Sequence, residues 1–246
     1  MKRILLAVMM LATLSACADV RVNLNKKESV EERRQLAGFE RIEQLGSIDV
    51  KYQQADSFSV VVKAPKRVIG QVLTQVEGNK LEVSMKGRNI SVGLNSSDGV
   101  TVYVTSPDFL GIDLKGSGDF ECMKPLDTDN LDIRLKGSGD INFKDIICDK
   151  INVSLVGSGD IELKKVETRE SAIELVGSGD IKMNQQKVVL TKMELKGSGD
   201  IKMKMKDCEK VDARLVGSGD ITLTGRVASL QQYKRGSGEI KIRNEE

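Results

Sequence analysis

Leu135-Lys136-Gly137-Ser138-Gly139-Asp140-Ile141-Asn142-Phe143 is the stretch that decides the fold. Its Gly-Ser-Gly recurs at Gly116, Gly137, Gly157, Gly177, Gly197, Gly217 and Gly236, in steps of 21, 20, 20, 20, 20 and 19 residues. An acid follows each copy: Asp119, Asp140, Asp160, Asp180, Asp200, Asp220 and, last, Glu239. Self-similarity at a fixed period of this size marks a solenoid or an array. The apolar residues keep the same phase. Leu114, Leu135, Leu155, Leu175, Leu195 and Leu215 stand two before the first glycine; Phe120, Ile141, Ile161, Ile181, Ile201, Ile221 and Ile240 follow the acid. Apolar residues two positions further out on either side complete an alternation of period two, the pattern of half-buried strands. Counting in twos from Leu135 to Ile141 puts both glycines on the inward parity and leaves Ser138 and Asp140 pointing out.

Two all-β architectures fit. In a parallel β-helix each repeat is one coil, and equivalent residues stack at roughly 4.8 Å. In a row of hairpins each Gly-Ser-Gly is a tip, and Leu135 faces Ile141 across it. Hairpins explain the apolar pairing but not why an exposed tip keeps the same serine seven times. Stacking does, because each coil then constrains the next. The reading favoured is therefore a β-helix of about seven 20-residue coils over residues 111–246, right-handed as parallel crossovers almost always are. Gln232 and Lys234 replace the apolar residues of the last repeat, as a polar C-terminal cap requires.

Residues 38–110 have another texture. Phe39–Leu45, Ser47–Gln53, Phe58–Ala64, Lys80–Lys86 and Gly99–Thr105 read as strands. Val68, Ile69, Val72, Leu73 and Val76 sit at helical spacing and predict one short helix over Pro65–Val76. This β-rich part is expected to cover the open N-terminal end of the stack.

At the start of the chain, Lys2 and Arg3 precede an apolar run from Ile4 to Leu14, and Leu14-Ser15-Ala16 leads into Cys17. A charged head, a short apolar run and small residues at the cut describe a secretory signal over 1–16. Leu-Ser-Ala-Cys resembles the lipobox of bacterial lipoproteins, which implies lipidation of Cys17 and firm anchoring by two or three acyl chains. Residues 17–37 are polar and charged and are expected to be a flexible tether.

Composition excludes several chemistries. Histidine is absent, which removes Ser-His-Asp and Cys-His catalysis and histidine metal sites. Tryptophan is absent and aromatics are 3%, which argues against an aromatic-lined sugar cleft. Lys plus Arg number 38 and Asp plus Glu 36; without Lys2 and Arg3 the two balance, so no nucleic-acid partner is expected. No cofactor is implied. Cys122, Cys148 and Cys208 are odd in number. Cys148 and Cys208 share one repeat position three coils apart, roughly 14 Å in a stacked arrangement, so no disulfide among the three is expected.

The sequence resembles the putative auto-transporter adhesin family with a head GIN domain. The residues that carry the resemblance are Gly38-Phe39-Glu40-Arg41-Ile42, Gly46-Ser47-Ile48-Asp49-Val50, Ser59-Val60-Val61-Val62-Lys63-Ala64-Pro65 and the Gly-Ser-Gly-Asp series. It spans about Gly38 to Arg243 and implies stacked parallel coils in secreted or lipid-anchored envelope proteins, with no catalytic residues. The chain shows no transporter barrel.

The acid column has two readings. It is a ladder of carboxylates bonded to backbone N–H groups, the reading preferred, or a cation site. Calcium needs six to eight oxygens, and one carboxylate per coil is a sparse supply. The leading functional expectation is a non-enzymatic outer-membrane lipoprotein, periplasmic or surface-exposed. It would be an adhesin-like scaffold held to the membrane by its N-terminal lipid and presenting polar rows to a protein or glycan. The alternatives are a polysaccharide-acting enzyme on the same scaffold and a structural protein assembling with further copies of itself.

Overall fold

The computed structural model describes residues 29–86 and 99–243. The chain forms β1 (Ser29–Arg34), β2 (Arg41–Gly46), β3 (Asp49–Gln54) and β4 (Ser59–Pro65). A 3-10 turn at Ile69–Gln71 leads to β5 (Val72–Glu77), β6 (Lys80–Met85) and β7 (Thr101–Ser106). Paired strands then repeat: β8 (Gly111–Gly116) and β9 (Phe120–Asp127), β10 (Asn130–Gly137) and β11 (Ile141–Ile147), β12 (Lys150–Gly157) and β13 (Ile161–Glu167), β14 (Glu170–Gly177) and β15 (Ile181–Gln186). They are followed by β16 (Leu190–Gly197), β17 (Ile201–Gly217), β18 (Ile221–Arg235) and β19 (Ile240–Arg243).

The strands form two parallel ladders. The first runs β2–β8–β10–β12–β14–β16 and continues through the second halves of β17 and β18. The second runs β3–β9–β11–β13–β15, then through the first halves of β17 and β18 to β19. Leu155 is in register with Leu135 below and Leu175 above. Ile161 is likewise in register with Ile141 and Ile181. The repeats are therefore coils of a β-helix, and the hairpin arrangement is excluded. Leu155 and Ile161 belong to opposite ladders and both point into the core, where neither exposes more than 1% of its surface. Burying each such side chain contributes about 1.5–3 kcal/mol, and the column repeats it in every coil.

An eighth, degenerate coil lies beneath the seven. β2 and β3 join through Gly46-Ser47-Ile48-Asp49, and Gly46 is in register with Gly116. Residues 38–110 therefore share the ladders of the repeats. The excursion from β4 to β7 extends both ladders beyond this coil: β6 lies parallel to β2 with β5 antiparallel outside it, and β7 lies parallel to β3 with β4 antiparallel outside it. Inside this end, Tyr52 stacks on Phe109 at 4.1 Å, and the aromatic series continues through Phe120 to Phe143.

Two expectations are corrected. The helix over Pro65–Val76 is only the 3-10 turn at Ile69–Gln71; Val72 already begins β5. The β-branched valines suit a strand, and the two-residue turn Gly78-Asn79 closes a hairpin with β6 in which Glu77 pairs with Lys80. Within the stretch expected as tether, Ser29–Arg34 is strand β1, antiparallel to β4. Its side chains are mostly exposed and charged, as edge strands are, so main-chain bonding forms it without an apolar alternation. Glu31 pairs with Lys63 at 3.2 Å, and the Arg34 guanidinium donates to the Ile69 carbonyl at 3.3 Å. The signal segment and Cys17 lie outside the described residues.

Candidate functional site

The Gly-Ser-Gly-Asp corner is where sequence constancy concentrates, and its geometry explains each residue separately. At Gly137, φ is +144°, and a Cβ there would lie 2.0 Å from the carbonyl oxygen of Gly116 in the coil below. At Gly139 it would lie 2.0 Å from the oxygen of Gly118. The same close approach repeats up the stack, so backbone packs directly on backbone and no side chain fits. Ser138 and Gly139 both donate their N–H to the Gly116 carbonyl, at 2.9 and 3.2 Å. In the lowest coil Ile48 occupies the second-glycine place; Gly118, one coil up, would put a Cβ 2.1 Å from the Ile48 oxygen.

The acids form a continuous ladder. Asp140 donates its backbone N–H to Asp119 Oδ1 at 3.0 Å, Asp160 to Asp140 at 3.0 Å, Asp180 to Asp160 at 2.9 Å and Asp200 to Asp180 at 3.0 Å. Asp220 continues it on Asp200 at 3.0 Å and Glu239 on Asp220 at 2.9 Å. The lowest rung is Asp49, which accepts from Asp119 at 3.0 Å. The spacing had not placed Asp49 in the column, although Gly46-Ser47-x-Asp49 carried the signal. At Asp200, burial pushes the carboxyl up, but the Asp220 N–H and the Lys202 ammonium outweigh it and hold it below the usual range. At Asp220 the Lys241 ammonium, then the Glu239 N–H, do the same. Each aspartate from Asp49 to Asp220 thus spends one oxygen on the next coil, and among the described residues no group of His, Cys, Asp and Glu is arranged to hold a metal ion.

The opposite corner differs. Cys148, Thr168, Val188 and Cys208 take the same buried place in successive coils, and β17 runs straight through it. All three described cysteines are free and buried. Burial pushes the thiols up, Cys122 to about 12 and Cys148 to about 11, which leaves them unreactive at neutral pH. Beside this corner lies a buried polar cluster that the sequence pattern did not announce. Ser171 Oγ bonds Gln185 Oε1 at 2.9 Å and Thr191 Oγ1 at 3.0 Å, and Gln185 Nε2 donates to Thr191 Oγ1 at 2.6 Å.

On the outer face of the first ladder, the small side chains Asn152, Ser154 and Ala172 leave an open trough of about 650 Å³ bounded by Arg134, Lys192 and Tyr233. Two of its carboxylates already face cations. Lys196 lies 3.6 Å from Glu174 and 2.9 Å from Glu194, and Arg214 lies 3.3 Å from Glu194. The Arg214 guanidinium also sits 5.0 Å over the Tyr233 ring.

The family model described as "Putative auto-transporter adhesin, head GIN domain" matches residues 38–189 and 165–245. No curated protein matches the sequence. Among solved structures, a putative adhesin from Bacteroides fragilis NCTC 9343 is similar at 26% identity and TM-score 0.75, over 88% of this chain and 97% of that one. A putative lipid binding protein from Parabacteroides distasonis ATCC 8503 shares the fold at 22% identity and TM-score 0.73, over 90% and 98% of the two chains. A putative adhesin from the same organism does so at 20% identity and TM-score 0.67, over 88% and 98%. With the family model covering nearly all of residues 38–245, the chain belongs to the putative auto-transporter adhesin family with a head GIN domain.

Proposed function

We propose that the protein is a non-enzymatic, lipid-anchored envelope protein whose β-helix presents rows of polar side chains to an extracellular or periplasmic partner. The observation that carries this reading is the use made of the constant polar groups. The Asp column, kept in nearly every coil, bonds the backbone of the neighbouring coil. We read it as a structural ladder rather than a cation or catalytic site. What varies from coil to coil is the outward side chains, as expected where a rigid frame displays a surface.

Family membership supports a role at the cell envelope or surface. Polar edge strands support display over end-to-end assembly: β1 edges one end with charged side chains, and Gln232 and Lys234 occupy inward positions of the last coil. Of the three carboxylates lining the trough, Glu174 and Glu194 face Lys196 and Arg214, which disfavours them as a glycoside-cleaving pair, and Asp212 is the third.

Anchoring is assigned to Cys17 after removal of residues 1–16, with the outer membrane as the site. Cys17→Ala should release the protein from the membrane fraction or leave the signal uncut. A variant that still incorporates radiolabelled fatty acid would overturn the assignment. Protease treatment of intact cells then reads which side of the membrane the coils face.

A further inference from the structure

We infer that the outer face of the second ladder, over its C-terminal coils, binds an acidic glycan chain through a grid of lysines. Charge that balances over the whole chain is unevenly placed in the fold. The outward residues of β15 are Lys182, Asn184 and Gln186, and those of the first half of β17 are Lys202, Lys204 and Lys206. Thr222, Thr224 and Arg226 follow on β18 and Lys241 and Arg243 on β19, so none of these outward positions holds a carboxylate. On β13 the outward Glu162 is in register with Lys182; the remaining acids of these coils lie along the two corners. The Asp column neutralises Lys202 and Lys241, at 2.9 and 2.8 Å. Lys182, Lys204 and Lys206 are exposed and form no ion pair among the described residues.

With Lys202 paired, Lys204 and Lys206 alternate on one strand without a counter-charge, and the fold has no evident use for their repulsion. Lysines do protect exposed sheet edges from pairing, but β17 is paired on both sides, so there is no edge to protect. A polyanion relieves the repulsion. The lysines of β17 stand ~6.7 Å apart along the strand, and Lys182 is one coil spacing of ~4.8 Å from Lys202. That suits an extended chain bearing one charge every sugar or two. A groove of about 180 Å³ runs between Lys164, Lys165, Lys204 and Lys206 and is lined also by Asn184 and Gln186. These amides, with the Thr222 and Thr224 hydroxyls, suit sugar hydroxyls. The strand segments of this patch carry no outward aromatic ring on which a nucleic-acid base could stack, and Ile242 alone among their apolar side chains is exposed, too little to enter a bilayer. Recognition would run through charge, consistent with a chain of 3% aromatic residues.

The inference rests on the reading of the protein as a partner-displaying scaffold and names the partner's chemistry. It is tested with the full lipidated chain in nonionic micelles on immobilised polygalacturonate and heparin. The unaltered chain should bind both, more weakly as salt rises. The Lys182→Glu/Lys204→Glu/Lys206→Glu variant should lose about tenfold or more in affinity. The same charge change on the other face, Lys150→Glu/Lys192→Glu/Lys210→Glu, should lose less than about threefold. Equal loss in the two variants, or no binding to either glycan, would overturn the inference. So would competition by single-stranded DNA or by phosphatidylglycerol-doped micelles that exceeds soluble glycan at equal charge. New reducing ends in the same samples would instead refute the non-enzymatic reading while leaving this binding face in place.

Discussion

The two corners of each coil solve the same problem in opposite ways. At the Gly-Ser-Gly-Asp corner, backbone meets backbone, a Cβ has nowhere to go, and the sequence barely changes. At the opposite corner the chain has room for a side chain, and Cys148, Thr168, Val188 and Cys208 exchange freely. The constancy of the glycines records stacking distance. A repeated, invariant, partly acidic motif invites a reading as a binding site; its geometry shows a structural joint.

The contrast is broken most sharply by adding one methyl group. In Gly157→Ala the new Cβ would lie 2.1 Å from the Gly137 oxygen at φ +143°. Denaturant unfolding should show a loss of about 4 kcal/mol or more, or no folded protein, in the range reserved for strain that cannot relax. A loss under 1 kcal/mol would mean that the coils are not stacked so closely.

Acid should act next, because two neighbouring rungs are held low in the folded chain. Asp200 and Asp220 have depressed values when folded. Their contribution is therefore present above the unfolded carboxylate value of ~4 and is lost as pH falls through the lower folded values. Thermal midpoints should be level from pH 7 to about 5 and fall below about pH 4. A midpoint that rose on acidification would show that repulsion between carboxylates outweighs their bonds to the backbone.

At the permissive corner, Cys208→Val places there the residue that position 188 already carries, and should cost less than about 1.5 kcal/mol by the same unfolding assay. A cost equal to that of Gly157→Ala would erase the distinction between the corners. The smallest effects belong to single rungs. Asp180→Ala should cost about 1 kcal/mol, and Asp180→Asn, which keeps an acceptor for the Asp200 N–H, clearly less. Equal costs for the two would show that charge, not the acceptor, holds the rung.

The repeated coils were legible because stacking imposes one rule twenty residues apart. Leu155 and Ile161 declare their parity, which fits coils and hairpins alike, and the constancy of the serine favoured coils. The Asp column was legible as positions, but its bond to the next coil's N–H needed coordinates. Three features were hidden for identifiable reasons. The degenerate eighth coil was masked by Ile48, which breaks the Gly-Ser-Gly motif. Strand β1 lacked apolar alternation because an edge strand needs only main-chain partners. The valines of 68–76 happen to satisfy a helical spacing, yet the Gly78-Asn79 turn that makes them a hairpin was present in the sequence. The basic face of the second ladder was legible only in part. Lys202-Met203-Lys204-Met205-Lys206 shows three lysines on one side of a strand, but only the fold brings Lys182 and Arg226 beside them and sends the acids to the corners.

If the motif is a joint between coils rather than a cation site, metal should not matter to it. The direct test is thermal unfolding of the full chain with micromolar calcium and with chelator. The midpoints should agree within about 2 °C, since a site with one free carboxylate oxygen per coil is too sparse to bind tightly. A rise of many degrees with calcium would contradict the account and make the Asp column a metal site.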